Sequence, residues 1–315
     1  MDKRPFIIDC DTGTDDAIAI LAALYSPQIH IHAITSVDGN VSELYTSQNN
    51  LNLIEYMGRD IPVAHGAVRP LLGGILDIEG ATDTHGKTGL GTVQLPAASR
   101  SQFDPRVASE LIYEAAVEYK GELELLVIGP MTNIAIALCS HRDLAGLIRH
   151  IWFMGGAAYG GNVLPTAEFN IWADALAGHI VTQSGIPMTM VGLDVTLKAV
   201  MTEEDIAALR KVGTRACALA ADLLEFMVQR RDKGGEDLVM HDALALAAAL
   251  CPECLTCRDS FVDVEYAGTY TLGHTFADLR GRTGKAPNMS VAVDVDVPMF
   301  RRWLVDSISR SAAEQ

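Results

Sequence analysis

An apolar run, Phe6-Ile7-Ile8, ends in acidic residues and Gly13 and is followed by a helix-like stretch over 16–25. This strand, loop and helix phrase constrains the fold because it recurs. The pattern predicts further strands over 29–35, 123–128 and 151–154, with helices over 42–57 and 133–139. Strands that alternate with helices build a parallel sheet covered on both faces. Ligands of such a sheet lie beyond the carboxyl ends of its strands. The loops after Ile8, Ile34, Ile128 and Met154 therefore fall on one rim. Further helices are expected over 203–211, 214–231 and 241–250, strands over 261–266 and 291–295, and a final helix over 299–309. The Gly- and Thr-rich stretch 73–91 reads as a mobile loop. No repeat or linker interrupts the chain, so one domain spanning 1–315 is expected, an α/β fold with a Rossmann-like, mostly parallel sheet flanked by helices.

Charge excludes some partners. With 24 Lys+Arg against 40 Asp+Glu the formal net charge is −16, which repels a phosphate backbone or an anionic membrane. No nucleic acid and no membrane partner is expected. No run approaches the length of a membrane-spanning segment, and Met1-Asp2-Lys3-Arg4-Pro5 leads straight into a strand-like run, so a cytoplasmic location is expected. Cys251, Cys254 and Cys257 are spaced as in some metal sites, but Pro252-Glu253 reads as a turn after a helix end, and we read them as incidental thiols.

Asp9-Cys10-Asp11-Thr12-Gly13-Thr14-Asp15-Asp16 crowds four carboxylates into a strand-to-helix turn. A helix N-terminus can hold Asp15 and Asp16. It does not account for Asp9 and Asp11 at the end of an apolar strand, where mutual repulsion is costly without a cation. A hard divalent ion with oxygen ligands resolves that conflict. A second constellation is His241-Asp242 at a helix start after Gly234-Gly235; the Asp can cap and the His can move a proton. A third is Glu168-Phe169-Asn170, preceded by Gly160-Gly161-Asn162. Each of these acids and amides has an ordinary capping or turn role available, but they share one rim.

Taken in order, Asp9 to Ala17, Asp38-Gly39-Asn40, Gly129-Pro130-Met131-Thr132-Asn133, Met154-Gly155-Gly156, Glu168-Phe169-Asn170 and His241-Asp242 resemble the inosine–uridine-preferring nucleoside hydrolases over nearly the whole chain. The resemblance implies the nucleoside hydrolase fold, a bound calcium ion (Ca2+) and hydrolysis of a small-molecule ribonucleoside to ribose and free base. It implies that Asp11, Asp16, Asp242 and the carbonyl of Ile128 bind calcium, with Asp9 in support. Asp11 is then the general base on a calcium-bound water. Asp15 and Asn170 would hold the ribose 2′- and 3′-hydroxyls, and Asn40, Asn162, Glu168 and Phe169 would complete the sugar pocket. A homo-oligomer, a tetramer ahead of a dimer, is expected on the same ground.

Chemistry agrees with these roles. Cleaving an N-glycosidic bond builds positive charge on ribose, which a carboxylate-rich pocket stabilises. The departing base becomes negative and needs a donor: His241 is the first candidate and His85 the second. Water on the face opposite the base should invert the anomeric centre. The chain departs from the usual family pattern at Thr12 and Ala243, where proline is common. On the helix over 214–231, Phe226, Gln229 and Arg230 fall on or near one face, and Gln229 could bond a pyrimidine edge. Trp152 and Trp172 read as core, against a Trp-walled purine pocket. Asp9-x-Asp11 also resembles the nucleophile loop of haloacid-dehalogenase-like phosphatases, a reading that leaves Asp15-Asp16 unexplained. A non-catalytic nucleoside-binding protein is the third reading, although the intact acidic set gives no reason to expect a dead enzyme.

Overall fold

Among the described residues, ten strands and the helices between them organise the chain. The computed structural model describes residues 3–72 and 84–314. The strands are β1 (Arg4–Cys10), β2 (Ile29–Ser36), β3 (Val63–Ala64), β4 (Leu123–Val127), β5 (Ile148–Met154), β6 (Met188–Val191), β7 (Leu255–Ser260), β8 (Val262–Val264), β9 (Thr275–Ala277) and β10 (Met289–Val295). Eight of them form one sheet in the order β3-β2-β1-β4-β5-β6-β10-β7. Every neighbour pair is parallel except β10 with β7, which is antiparallel. The strand expected over 261–266 is instead β8, which pairs antiparallel with β9 in a separate two-stranded sheet.

The apolar strands are buried on both faces, and the period of two along a strand divides their side chains between two cores. Phe6 and Ile8 of β1 and Leu126 of β4 pack with the helices Thr14–Leu24, Arg215–Arg231 and His241–Leu250. Ile7, Leu125 and Val127 face the other way, toward the helices Ala108–Tyr119, Thr132–Ser140 and Ala175–Thr182. Glu124, buried near the amino end of β4, accepts from Arg4 Nη1 at 3.0 Å and from Trp152 Nε1 at 2.7 Å, tying β1, β4 and β5 together away from the rim. Trp152 is thus half-buried with its indole N–H satisfied.

Chain direction across the sheet reverses between β1 and β4: β2 lies on one side of β1, β4 on the other. Loops leaving adjacent strands at such a point diverge to opposite faces and open a crevice. The Asp11–Gly13 turn and Ile128 stand at that crevice. Part of the loop read over 73–91, residues 73–83, lies outside the described residues; the remainder holds His85 against the first helix. Cys251 and Cys254 are buried at the end of the helix His241–Leu250, whereas Cys257 is exposed on β7. Among the described residues no helix is long and apolar enough to cross a membrane.

Because Ile7 and Ile8 each fill a different core with no solvent exposure, either alanine substitution should cost about 2–5 kcal/mol. His30→Ala, on the exposed face of β2, should stay within about 0.5 kcal/mol. Urea unfolding of the three variants checks this; equal effects would mean that β1 is not the centre of the packing.

Candidate active site

β1 runs to Cys10, so Asp9 and Cys10 belong to the strand and Asp11 begins the turn. Asp9 is buried below the site, where its Oδ1 accepts from Thr35 Oγ1 at 2.5 Å and Asn133 Nδ2 at 2.8 Å. Burial pushes its pKa up to about 7 against those two bonds. Asn133 is itself fixed, donating to the Ser36 carbonyl and accepting from Ala67 N–H.

Asp11 is boxed in by two glycines. Its Oδ2 accepts from the Asn40 N–H at 2.7 Å. A Cβ on Gly39 would stand 2.1 Å from that oxygen, and one on Gly129 would stand 2.9 Å from Asp11 Oδ1. Neither glycine has a left-handed backbone, so what the site needs from them is room. This explains the glycines of Asp38-Gly39-Asn40 and Gly129-Pro130, which the sequence displays without showing what they make room for.

Asp15 and Asp16 lie in the first turn of the helix Thr14–Leu24, whose N-terminus favours negative charge. Asp16 Oδ2 accepts from Gly13 N–H at 2.8 Å and Asn40 Nδ2 at 3.2 Å. Asp242 occupies the same place in the helix His241–Leu250. Oxygens of Asp15, Asp16 and Asp242 lie within 4.8 Å of one another. Asp15, expected on the ribose side, therefore also belongs to the tight carboxylate trio, because consecutive first-turn residues bring both carboxylates to one helix end. Asp11 approaches from β1 with its buried Oδ1 unpartnered, as is Oδ1 of Asp16.

Burial, reinforced by the neighbouring carboxylates, holds Asp11 and Asp242 well above the usual carboxylate range and pushes Asp16 up to about 7. Among the described residues no lysine or arginine pairs with any of these four acids. Four buried carboxylates, two orphaned oxygens and no organic counter-charge fit a hard divalent cation. The Ile128 carbonyl, which accepts from Asn170 Nδ2 at 3.1 Å, is at the same floor.

Above the floor is a cavity of about 240 Å³. Asp15, Asn40, Asn162, Glu168, Phe169 and Asn170 line it. Glu168 caps the short helix Phe169–Ala173, accepting from the N–H groups of Asn170 and Ile171, and also from Gly156 at 2.8 Å. Burial nevertheless pushes its pKa up to about 7. Asn162 Oδ1 accepts from Phe169 N–H at 3.0 Å, and Asn170 Nδ2 donates to Met154 O at 3.2 Å. Glu168 thus caps a helix and lines the cavity at once, as Asn162 both holds a backbone N–H and lines it.

His85, His241, Arg230, Met227, Glu236 and Val239 also line the cavity. His85 Nδ1 accepts from Thr14 N–H at 3.3 Å, which puts its proton on Nε2. Burial pulls its pKa down to about 4, so the ring is a neutral donor near neutral pH. His241 Nδ1 bonds Thr196 Oγ1 at 2.9 Å, and burial lowers its pKa also. Thr196, at the end of the helix Leu193–Thr196, gave no signal in the sequence.

Gln229 does not reach the cavity. It shares an exposed stripe with Asp222 and Glu225, and one residue's rotation of about 100° separates it from Arg230, which does line the wall. Phe226 packs toward Gly91, where a Cβ would stand 2.4 Å from its ring. Gly39→Ala should lower stability by about 1–3 kcal/mol in thermal unfolding, and lower turnover at least about 100-fold by displacing Asp11, an effect of the size expected for a lost active-site contact. Full activity in this variant would show that the Asp11 rotamer is not needed.

The family model for the inosine-uridine preferring nucleoside hydrolase matches residues 6–302. The chain is 40% identical over 317 residues to the pyrimidine-specific ribonucleoside hydrolase RihA of Photobacterium profundum, covering 99% of both. It is 41% identical over 310 residues to the pyrimidine-specific ribonucleoside hydrolase RihA of Escherichia coli O81, covering 96% of this chain and 98% of that one. Among solved structures, the purine-preferring ribonucleoside hydrolase from Gardnerella vaginalis superposes with a TM-score of 0.92 at 32% identity, over 99% of this chain and 100% of that one. An acid-floored cavity at the switch point of the sheet and these matches along its length lead to one conclusion: the chain belongs to the inosine-uridine preferring nucleoside hydrolase family.

Proposed function

We propose that this chain hydrolyses the N-glycosidic bond of ribonucleosides, with pyrimidine ribonucleosides preferred. The observation that carries the reading is the buried carboxylate cluster at a cavity that two histidines also line. The pyrimidine preference rests on the two relatives at 40% and 41% identity, whose names carry it.

Asp11 is the general base. Its Oδ2 is held by the Asn40 N–H while Oδ1 is buried and free to accept a proton from the attacking water. Asp15 and Asn170 hold the ribose 2′- and 3′-hydroxyls, with Asn40, Asn162, Glu168 and Phe169 enclosing the rest of the sugar. The surrounding carboxylates stabilise the positive charge that develops on ribose more than they stabilise neutral substrate. His241, held through Nδ1 by Thr196, and His85, protonated on Nε2, offer donors to the departing base. Asp11, Asp16, Asp242 and the Ile128 carbonyl would hold calcium, with Asp15 within reach, because an all-oxygen donor set suits that ion. When bound, calcium would supply the charge that offsets the carboxylates and an anchor for the ribose hydroxyls.

The test is reducing-sugar release from uridine, cytidine, inosine and adenosine with calcium present and after chelation. Release that chelation abolishes and calcium restores is expected. Asp11→Ala should lower turnover about 10²- to 10⁴-fold on every active substrate, and a fully active variant would end the general-base assignment. Turnover that survives complete chelation would end the calcium assignment.

A further inference from the structure

The helix Glu43–Tyr56 turns a polar stripe, Asn49, Asn52 and Glu55, toward the segment that follows His85. Residues three apart share one helix face. Asn52 Oδ1 accepts from the Ala98 N–H at 2.8 Å, and the Glu55 carboxylate accepts from the N–H groups of Ser99, Arg100 and Ser101. Asn49, which is 7% exposed, makes a different kind of contact. Its Nδ2 donates to the Thr88 carbonyl at 2.7 Å and to the Thr12 carbonyl at 3.2 Å. One amide group thus joins the His85 segment to the turn that carries Asp11 and Gly13.

The two ends of this bridge are unequal. Thr12 is fixed independently, since its Oγ1 donates to Asn50 Oδ1 at 2.5 Å and Asn50 Nδ2 donates to Ser36 Oγ at 3.0 Å. The His85 side has weaker support of its own. Gly86, Gly89 and Gly91 all have left-handed backbones, and glycine loses more conformational freedom on ordering than any other residue. The ring is held at Nδ1 by the N–H and Oγ1 of Thr14 at 3.3 and 3.2 Å, both long for hydrogen bonds. Gly89 lies directly against the bridge: a Cβ there would stand 2.8 Å from Asn49 Nδ2 and 2.9 Å from the Thr12 carbonyl oxygen.

We propose that Asn49 is a positioning residue for His85, holding the His85 segment against the Asp11–Gly13 turn so that the ring's Nε2–H meets the departing base. This inference rests on the hydrolase reading of the cavity. In that reaction the C1′–N bond breaks and its electron pair goes to the base. The water oxygen forms the new bond to C1′ and the water proton goes to Asp11. Nε2–H donates a hydrogen bond to the base as negative charge grows there, a contact stronger in the transition state than in the substrate. A donor misplaced by about 1 Å forfeits about 100-fold in rate. Asn49 touches neither substrate nor reacting atoms in this scheme; it acts through His85.

The test compares wild type, Asn49→Ala, Asn49→Asp, Gly89→Ala, Asn52→Ala, His85→Ala and the Asn49→Ala/His85→Ala double variant on uridine, inosine and 4-nitrophenyl riboside, whose leaving group needs no donor. Nitrogen NMR of the His85 ring is read alongside. Asn49→Ala should lose about 100-fold in kcat on the two nucleosides and less than about tenfold on the activated riboside. Its His85 ring should change from the single Nε2-protonated tautomer of wild type to a mixture. Asn49→Asp keeps the shape without the two donors, and Gly89→Ala pushes the segment off the amide; both should repeat the substrate pattern. Asn52→Ala, which loosens the same segment away from the turn, should retain wild-type kinetics. In the His85→Ala background, Asn49→Ala should cost little more on uridine, because residues that act as a unit are not additive. Equal losses on nucleosides and activated riboside would overturn the proposal and make Asn49 a support for Asp11 through Thr12. Equal effects of Asn49→Ala and Asn52→Ala, or full activity of His85→Ala on uridine, would overturn it as well. A wild type that releases no ribose would remove the hydrolase reading, and the ring signature would then decide the positioning alone: an unchanged tautomer in Asn49→Ala overturns it.

Discussion

Four carboxylates share a volume from which water is largely excluded, and most of the chain's unusual features answer that crowding. Two helix N-termini face the cluster and partly offset its charge. The sheet contributes its switch point, where loops from β1 and β4 part and leave room. Two glycines keep the space around Asp11 clear, and a lower tier of Asp9, Thr35 and Asn133 fixes the backbone beneath it. Without a cation the arrangement opposes folding, so it is explained by use and not by stability.

The cavity wall mixes carboxylates and side-chain amides with two imidazoles and a guanidinium. Burial sets His85 low and Asp16 high for one reason: loss of water penalises whichever form is charged.

Much of this was legible in the sequence, and the limits are physical. Alternating apolar runs and helices locate the parallel sheet, because covered parallel strands are apolar throughout. The acids of 9–16 are legible because charge at the end of a buried strand demands a reason. Periodicity does not say which sheet a strand joins, and so β8 was not separable from the main sheet. Helix rotation decided Gln229 against Arg230, a difference of one residue that a face drawn only approximately does not resolve. The helix Ala108–Tyr119 carries its apolar stripe of Leu111, Ile112 and Ala115 in plain view, but the strand–helix alternation alone does not require it. Thr196 could not be found at all, since its bond to His241 crosses 45 positions of the chain.

The borders of the sheet bear on how the molecule meets its neighbours. On one side β3 is two residues long and, among the described residues, is bridged beyond β2 by Ala64 with Asp104. On the other, β7 runs antiparallel and places the exposed Arg258 and Asp259 along its length. A short strand and a charged strand are both poor templates for another chain's backbone. The sheet therefore resists elongation from either end, which guards against fibrous stacking and leaves helices and loops as the surfaces through which copies of this chain can associate.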